Sequence, residues 1–180
     1  MGRQLPPREE LTAIYFIFGY EQGIQDAIRE IKFLGNKELP GRLGEETEAV
    51  LTAGGLPDLF EDYQVAVGIP TDAQRRRQRG FDLPEELFRS ALEQGGIPWE
   101  YLLSRTRRTV PMFTLTPEER RLNLERCFVA KGDVCGKNII LVDDIFTTGA
   151  TMEAAALALK NAGAKKVAGL AFCASVDNLR

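Results

Sequence analysis

Two adjacent carboxylates, Asp143 and Asp144, follow four consecutive apolar residues in the string NIILVDDIFTTGAT, which spans residues 138–151. The apolar run predicts a strand that is covered on both faces, as in a parallel sheet. Ligands of open parallel sheets bind just beyond the carboxyl ends of the strands, so we expect the pair at a binding edge. Ionised carboxylates accept hydrogen bonds, and the vicinal hydroxyls of a ribose are suitable donors.

The loop after the pair has the composition of a phosphate site. Within five residues it holds Thr147, Thr148, Gly149 and Thr151. A helix that begins there presents unpaired N–H groups, the threonine hydroxyls add donors, and the glycine lets the backbone approach a ligand closely. Because two carboxylates would repel a phosphate, we expect them to face a different part of the same ligand.

The paired acids allow other interpretations. They could serve only as the N-cap of the following helix, and the residues alone leave this alternative open. A receiver domain carries its pair on the first strand, whereas only 36 residues follow Asp144 here. Ile145 breaks the Asp-x-Asp spacing of a haloacid-dehalogenase nucleophile, and the sequence contains neither a Walker loop nor the three-glycine dinucleotide fingerprint.

Histidine is absent from the 180 residues. This excludes imidazole metal ligands and any Ser-His or Cys-His nucleophile within the chain, so a general base must be a carboxylate, a lysine, a tyrosine or a group of the substrate. The three cysteines form no CxxC pair, and we expect reduced thiols at Cys127, Cys135 and Cys173.

Residues 1–10 are polar and carry both signs of charge, which is not the pattern of a signal peptide. The longest apolar stretch, near residues 11–18, is too short to span a bilayer. We therefore expect a cytoplasmic protein with no membrane span.

Charge is distributed unevenly along the chain. Residues 1–70 carry a balance of −6, residues 71–126 of +2 and residues 127–180 of +1. All eleven cations of the middle segment are arginines, and they are densest at Arg75–Arg79 and Arg105–Arg108. Such clusters suit phosphate or carboxylate anions, or they form a solvated surface paired with glutamates, and both interpretations stay open. The net charge of −3 is unlike that of a nucleic-acid-binding domain.

The predicted elements alternate between strands and helices. Hydrophobic periodicity predicts strands near residues 11–18, 65–69, 100–103, 139–142 and 166–172. It predicts helices near residues 24–34, 45–53, 82–94 and 149–161. A further short helix is predicted to begin at residues 116–119, where Pro117 fits the first helical position and Glu119 completes a capping box. The arginines after Pro70 are expected in a polar loop, and Asp82 is expected to cap its helix in a capping box with Glu85.

This order predicts an α/β fold with a mostly parallel sheet flanked by helices. The length is that of one ordinary domain. The weakest join lies near residues 54–64, so we expect residues 1–60 to form an N-terminal appendage and residues 61–180 the core, together one compact domain.

The string at residues 138–151 resembles the motif with which type I phosphoribosyltransferases bind 5-phosphoribosyl-1-pyrophosphate (PRPP). In that family the acids bind the ribose 2′- and 3′-hydroxyls, and the threonine-rich loop binds the 5′-phosphate. The resemblance implies a catalytic pair at Asp143 and Asp144. It implies a phosphate site at Thr147, Thr148, Gly149, Ala150 and Thr151.

Further segments are similar to the ComF (competence protein) family of bacterial phosphoribosyltransferase-like proteins, over roughly residues 15–175. These segments are Tyr20 with Lys32-Phe33-x-Gly35, Ile69-Pro70, Arg75-x-Arg77-x-Arg79-Gly80-Phe81-Asp82, Arg105, Arg107, Thr109, Pro111, Leu115, Glu119-Arg120-Arg121 and Asn123-Leu124. The chain departs from relatives at Asp82 and Met112, where they often carry asparagine and glutamine. It lacks their four-cysteine zinc module, and Gly2 stands where amidotransferase relatives carry a cysteine.

The resemblance implies a type I phosphoribosyltransferase fold whose small N-terminal hood selects the acceptor. It implies a pyrophosphate and magnesium loop formed by Pro70, Thr71, Asp72, Arg75 and Arg79. A flexible loop carrying Arg105, Arg107 and Arg108 would close over the site. Mg²⁺ would arrive with PRPP rather than occupy a site made of protein groups alone, with Asp143 and Asp144 as candidate contributors.

The implied activity is transfer of phosphoribosyl from PRPP to an unidentified nitrogen acceptor, with release of pyrophosphate, as in nucleoside metabolism. The alternative is a non-catalytic PRPP- or nucleotide-binding module that acts through protein partners in DNA uptake (competence) or recombination. A regulator that senses PRPP or a nucleotide is a third interpretation. Relatives of this fold often dimerise, so a homodimer is also expected.

Overall fold

The computed structural model describes residues 3–54, 56–106 and 127–175. Its strands, in chain order, are β1 (Arg3–Leu5), β2 (Ile14–Gly19), β3 (Val65–Gly68), β4 (Leu103–Arg105), β5 (Phe128–Ala130), β6 (Asn138–Phe146) and β7 (Lys166–Ala174). Five of them form one sheet in the order β1-β2-β7-β6-β3, in which only β1 is antiparallel to its neighbour. The predicted mostly parallel α/β sheet is confirmed. β4 and β5 pair separately as an antiparallel ribbon.

The apolar run of β6 is continuous because both faces of the strand are covered. Ile140 pairs with Ala66 of β3 on one side and Ala168 of β7 on the other. Ile139 and Leu141 pack into one hydrophobic cluster, whereas Ile140 and Val142 pack into the cluster on the opposite face. The side chains of a strand point alternately to the two faces, so each face needs apolar residues at its own positions.

Helices cover both of these faces. They are α1 (Gln22–Arg29), α2 (Leu39–Thr52), α3 (Pro57–Asp62), α4 (Ala73–Arg79), α5 (Leu83–Gln94) and α6 (Ala150–Asn161). α6 covers one face with Met152, Ala155, Ala156 and Leu159, while α1, α2 and α5 cover the other with Ile28, Leu51, Leu87, Phe88 and Leu92. No helix within the described ranges is long and apolar enough to cross a membrane.

α1 continues into a π-helical turn over Glu30–Leu34, which ends at Gly35 with a φ of +74°. The predicted helix over residues 24–34 therefore exists, but its last turn is wider than an α-helix. Within that turn Ile31 is buried, while Phe33 and Leu34 are each 78% exposed. π-helical turns are rare and often occur at functional sites.

The polar loop predicted after Pro70 is wrong, because Ala73–Arg79 forms α4. The Asp72 carboxylate accepts hydrogen bonds from the backbone N–H groups of Gln74 (3.0 Å) and Arg75 (3.4 Å), and so caps the helix. Gly80, with a φ of +90°, ends it. Periodicity could not detect α4, since none of its residues is buried and arginine is itself a good helix former.

α5 begins after Asp82 as predicted, but the predicted capping box does not form. The Asp82 side chain makes no capping hydrogen bond. Its Oδ2 atom instead lies 3.2 Å from Arg76 Nε of α4. The carboxylate is therefore held by an ion pair between two helices rather than by the backbone of its own helix.

Other boundaries differ from prediction by several residues. α2 begins at Leu39 rather than near residue 45. The backbone N–H groups of Glu38 and Leu39 donate hydrogen bonds to Asn36 Oδ1, and Pro40 fits the first turn of the helix. The strand predicted over residues 100–103 is found at Leu103–Arg105. The short helix predicted to begin at residues 116–119 starts outside the described residues. The division near residue 60 stays a prediction.

Candidate functional site

Asp143 and Asp144 lie near the carboxyl end of β6, where the neighbouring strands end at different heights. β3 ends at Gly68, opposite Val142, so β6 extends beyond it with both acids. On the other side β7 continues beside β6 to Phe146. Because β3 ends before the two acids, a ligand can approach them from the β3 side of β6.

The two carboxylates address opposite sides of the sheet. Asp143 follows Leu141 in the alternation of the strand and borders a small cavity formed with the loop before α6. Asp144 follows Val142, and its Oδ2 atom lies 2.5 Å from Lys32 Nζ of the π-helical turn. The pair is thus shared between the phosphate-type loop on one side and the N-terminal region on the other.

Burial raises the pKa of Asp143 to about 8, and the negative charge of Asp144 adds to the effect, while the Lys32 ammonium opposes it. The Oδ1 atom of Asp143 accepts a hydrogen bond from the backbone N–H of Asp144 at 2.8 Å. At neutral pH the buried Asp143 carboxyl therefore favours its protonated form, and the pair carries closer to one negative charge than two. Hydroxyl donors or a hard cation would favour ionisation of both carboxyls.

Asp143→Asn is expected to stabilise the unliganded protein at alkaline pH, by up to about 5 kcal/mol at pH 8. The folded-state pKa of Asp143 lies above the usual value of 3.8, so its ionisation costs stability as the pH rises from about 4 to about 8. Asparagine keeps an oxygen for the Asp144 N–H and carries no charge. Urea unfolding of both proteins at pH 4 and pH 8 measures the difference, which should vanish at pH 4.

Asp133→Asn is a matched control for this comparison. Asp133 is exposed, and its Oδ1 atom also accepts a backbone hydrogen bond, from Cys135 at 3.2 Å. An equal gain at pH 8 in both variants would show that the repulsion at Asp143 is not its source.

The loop that joins β6 to α6 meets Asp143 as the sequence predicted. Asp143 and the residues Thr147, Thr148, Gly149, Ala150 and Thr151 line one cavity of about 30 Å³. Gly149 has a φ of +82° and precedes the first residue of α6, while Thr147 and Thr148 are exposed. The helix N-terminus and the exposed hydroxyls are donors suited to a phosphate monoester.

Arg8 supports the same loop from behind. Its Nη1 atom donates a 2.7 Å hydrogen bond to the carbonyl oxygen of Thr148 and lies 3.2 Å from Glu153 Oε1 of α6. Its guanidinium also stacks over the Phe146 ring at 5.3 Å. Arg8 could not be identified from the sequence, because it lies 140 positions from the carbonyl it contacts.

The predicted pyrophosphate residues are split between two cavities. Pro70 and Thr71 line a cavity of about 440 Å³ together with Arg76 and Arg105, whereas Asp72 caps α4. Arg75 and Arg79 instead line a second cavity of about 300 Å³. α4 separates the two, since its successive arginines point to different sides.

The predicted flexible loop is only partly described. Arg105 lies in β4 and stacks over the Phe128 ring at 5.6 Å. Burial is the main cause that lowers its pKa, so this cation sits in a site where an anion would be favourable. Arg107 and Arg108 lie outside the described residues.

Sequence comparisons agree with this geometry. Residues 90–178 match the family described as phosphoribosyl transferase domain. The chain is 33% identical over 156 residues to the competence protein ComFC of Streptococcus pneumoniae, covering 84% of this chain and 63% of that protein. It is 29% identical over 167 residues to the DNA utilization protein YhgH of Escherichia coli, and 28% identical over 165 residues to that of Salmonella typhi. The last two alignments each cover 88% of this chain and 70% of the relative.

Proposed function

Because the chain belongs to the ComF family of phosphoribosyltransferase-like proteins, we propose that it binds PRPP with Mg²⁺ and transfers phosphoribosyl to a nitrogen acceptor. One observation carries the proposal: the Asp143 carboxylate and the threonine loop before α6 border the same cavity. Ribose 5-phosphate carries vicinal hydroxyls on its ring and a phosphate on the exocyclic C5. A carboxylate next to the threonine loop offers acceptors for the hydroxyls, and the loop offers donors for the phosphate.

Asp143 and Asp144 accept hydrogen bonds from the ribose hydroxyls, while Thr147–Thr151 hold the 5′-phosphate. This fixes the ribose so that its C1 atom faces the acceptor. The bond between C1 and the pyrophosphate oxygen then breaks, and pyrophosphate leaves with the electron pair. The lone pair of the acceptor nitrogen forms the new bond to C1. Arg76 and Arg105 line the cavity that Pro70 and Thr71 also line. There they would stabilise the negative charge of the leaving pyrophosphate.

Carboxylate oxygens are ligands that Mg²⁺ prefers, so the pair suits the ion. Within the described parts of the chain, no group of three or more His, Cys, Asp or Glu side chains could hold a metal. Asp143 and Asp144 would therefore share the ion with oxygens of PRPP. Bound Mg²⁺ would neutralise negative charge that develops on the leaving pyrophosphate.

An acceptor that carries an N–H group must lose a proton as the new bond forms. The chain has no histidine to receive it. Asp143 and Asp144 are our candidates, because they are the carboxylates beside the proposed ribose site. An acceptor nitrogen without hydrogen needs no such base.

Calorimetric titration of PRPP into the protein, with and without Mg²⁺, tests the proposal. We expect binding that depends on Mg²⁺, followed by pyrophosphate release when a suitable base is supplied. A folded protein that takes up no PRPP would overturn the proposal, and the motif would then be a structural remnant.

We propose as an alternative that the chain is a PRPP- or nucleotide-binding module that acts through protein partners in DNA uptake. The support is that relatives are named a competence protein and a DNA utilization protein. The chain spans 63% of the length of the competence protein, so the activity and partners of the whole protein stay proposals. PRPP binding without pyrophosphate release, across a broad panel of bases, would favour the module. A cytoplasmic location and a homodimer also stay proposals.

A further inference from the structure

A cavity of about 300 Å³ lies between the π-helical turn and α4, and we call it the basic cavity. It is lined by Ile31, Lys32, Phe33, Gly35, Arg75, Gln78 and Arg79. Three of these seven residues are cations, and none of the described residues that line it is a carboxylate. Lys32 is paired with Asp144, so Arg75 and Arg79 are the two positive charges that favour an anionic occupant.

The two arginines of the basic cavity have no described carboxylate within ion-pair distance, and Asp144 and Asp82 act on Arg79 only from farther away. Across the described ranges, neither the Arg75 nor the Arg79 guanidinium forms an ion pair within 4.0 Å. Arg79 is half-buried, lies over the Phe81 ring at 5.9 Å, and has its pKa lowered mainly by burial. The forked guanidinium groups keep donors that match the two oxygens of a carboxylate.

The basic cavity lies directly beside the proposed ribose site. Lys32 lines it, and the same Lys32 ammonium lies 2.5 Å from Asp144 Oδ2. A molecule in the cavity is therefore within one side chain of the carboxylate that we assign to the ribose. The acceptor of a phosphoribosyl transfer must occupy such a neighbouring position to reach C1.

The apolar parts of the basic cavity suit a flat ring. Phe33 is exposed and Ile31 is buried, and both line the cavity. The Gln78 amide offers one donor and one acceptor group. The volume is at the lower end of the range for ligand pockets, about 300–1,000 Å³, which suits a single heterocycle better than a polymer.

We propose that the basic cavity binds the acceptor, and that the acceptor is a planar nitrogen heterocycle that carries a carboxylate. This inference rests on the proposed function and gives its acceptor a chemical class. Arg75 and Arg79 hold the carboxylate, Phe33 stacks on the ring, and Lys32 stands between ring and ribose. When ribose hydroxyls occupy Asp144, the Lys32 ammonium becomes available to the acceptor, so PRPP is expected to strengthen acceptor binding.

Pairs of rings that differ in the carboxylate test the charge class. Nicotinate is compared with nicotinamide, and uracil-6-carboxylate with uracil, by titration into protein saturated with PRPP and Mg²⁺. We expect at least one acid to bind about tenfold or more tightly than its neutral twin, which is the size of one charge-assisted contact. Arg79→Gln should bring the twins to within about twofold of each other.

Two variants accompany this comparison. Arg77→Gln removes a charge from an exposed position of α4 that does not line the basic cavity, and it should keep the preference. Arg75→Gln, at an exposed position that does line it, gives a second test if Arg79→Gln does not fold. An equal loss in the Arg77 variant would mean that general helix charge, rather than the cavity, sets the preference, and would overturn the inference.

The outcomes separate this inference from the proposed function. If PRPP binds but no acid outperforms its neutral twin, the acceptor class is wrong while PRPP binding stands. If PRPP does not bind, the proposed function fails, and with it the acceptor role of the cavity. In that case, the unliganded protein could still prefer the carboxylates and lose this preference in Arg79→Gln. The basic cavity would then be an anion site and not an acceptor site.

Discussion

Replacing Asp143 and Asp144 together with asparagine is expected to weaken binding of PRPP with Mg²⁺ by about 100-fold or more. Hydrogen bonds to a charged group are each worth about 1.5–3 kcal/mol, and the variant loses two such acceptors together with the oxygen ligands that Mg²⁺ prefers. A loss of about 3 kcal/mol corresponds to roughly 100-fold in affinity. The variant also leaves the Lys32 ammonium without its carboxylate partner at the site.

Titration calorimetry measures this loss, and a second adjacent pair of acids supplies the control. Glu45 and Glu46 lie on the exposed side of α2, so Glu45→Gln with Glu46→Gln makes the same change in net charge away from the site. This control should bind PRPP like the wild type. Because asparagine relieves the repulsion that raises the pKa of Asp143, the double variant should also stay folded in urea titrations. Retention of PRPP affinity within about threefold would exclude the pair from ribose binding.

Gly149→Ala is expected to lower both the free energy of unfolding and the affinity for PRPP. Gly149 has a φ of +82°, a conformation that costs other residues about 1–2 kcal/mol. A Cβ atom there would lie 2.8 Å from Cζ of the buried Phe146 ring and 3.1 Å from Arg8 Nη1. Relieving this overlap must displace the ring or the loop, which typically costs a further 1–3 kcal/mol. A displaced loop no longer presents its donors together to a phosphate.

Gly136→Ala separates the two causes. Gly136 has a similar φ of +71°, but a Cβ atom there would have nothing within 4 Å. It should cost only the backbone term and leave PRPP affinity unchanged. Urea unfolding and calorimetry of the two variants give the comparison. If both lost the same stability and neither lost affinity, the close packing of Gly149 would have no role in phosphate binding.

The central strands and the loop at the carboxylates could be predicted because their signals are local. The apolar run of Ile139–Val142 requires cover on both faces, and β6 has it. The paired acids and the threonine loop are adjacent in sequence, so a strand followed by a helix necessarily brings them together. α4 could not be predicted in the same way, because none of its residues is buried and its cap, Asp72, gave no periodic signal.

The remaining parts of the site depend on contacts between distant residues. Lys32 reaches Asp144 across more than a hundred positions, and Arg8 reaches the Thr148 carbonyl across 140. Neither contact follows from composition or spacing, because both require the sheet order to be known. The side to which each arginine of α4 points is set by the helix. Because this segment was predicted as a loop, the sequence could not show that Arg75 and Arg79 line a different cavity from Pro70.

The division of Asp143 and Asp144 between the two faces of β6 has an evolutionary consequence. The apolar positions before the acids can exchange one branched aliphatic residue for another, since each needs only to fill its own face. An insertion or deletion of one residue there would shift the following side chains to the opposite faces. The acid that now meets the threonine loop would then meet Lys32, and the other would take its place. In evolution, the residue types of this strand can therefore change, but the number of its residues cannot.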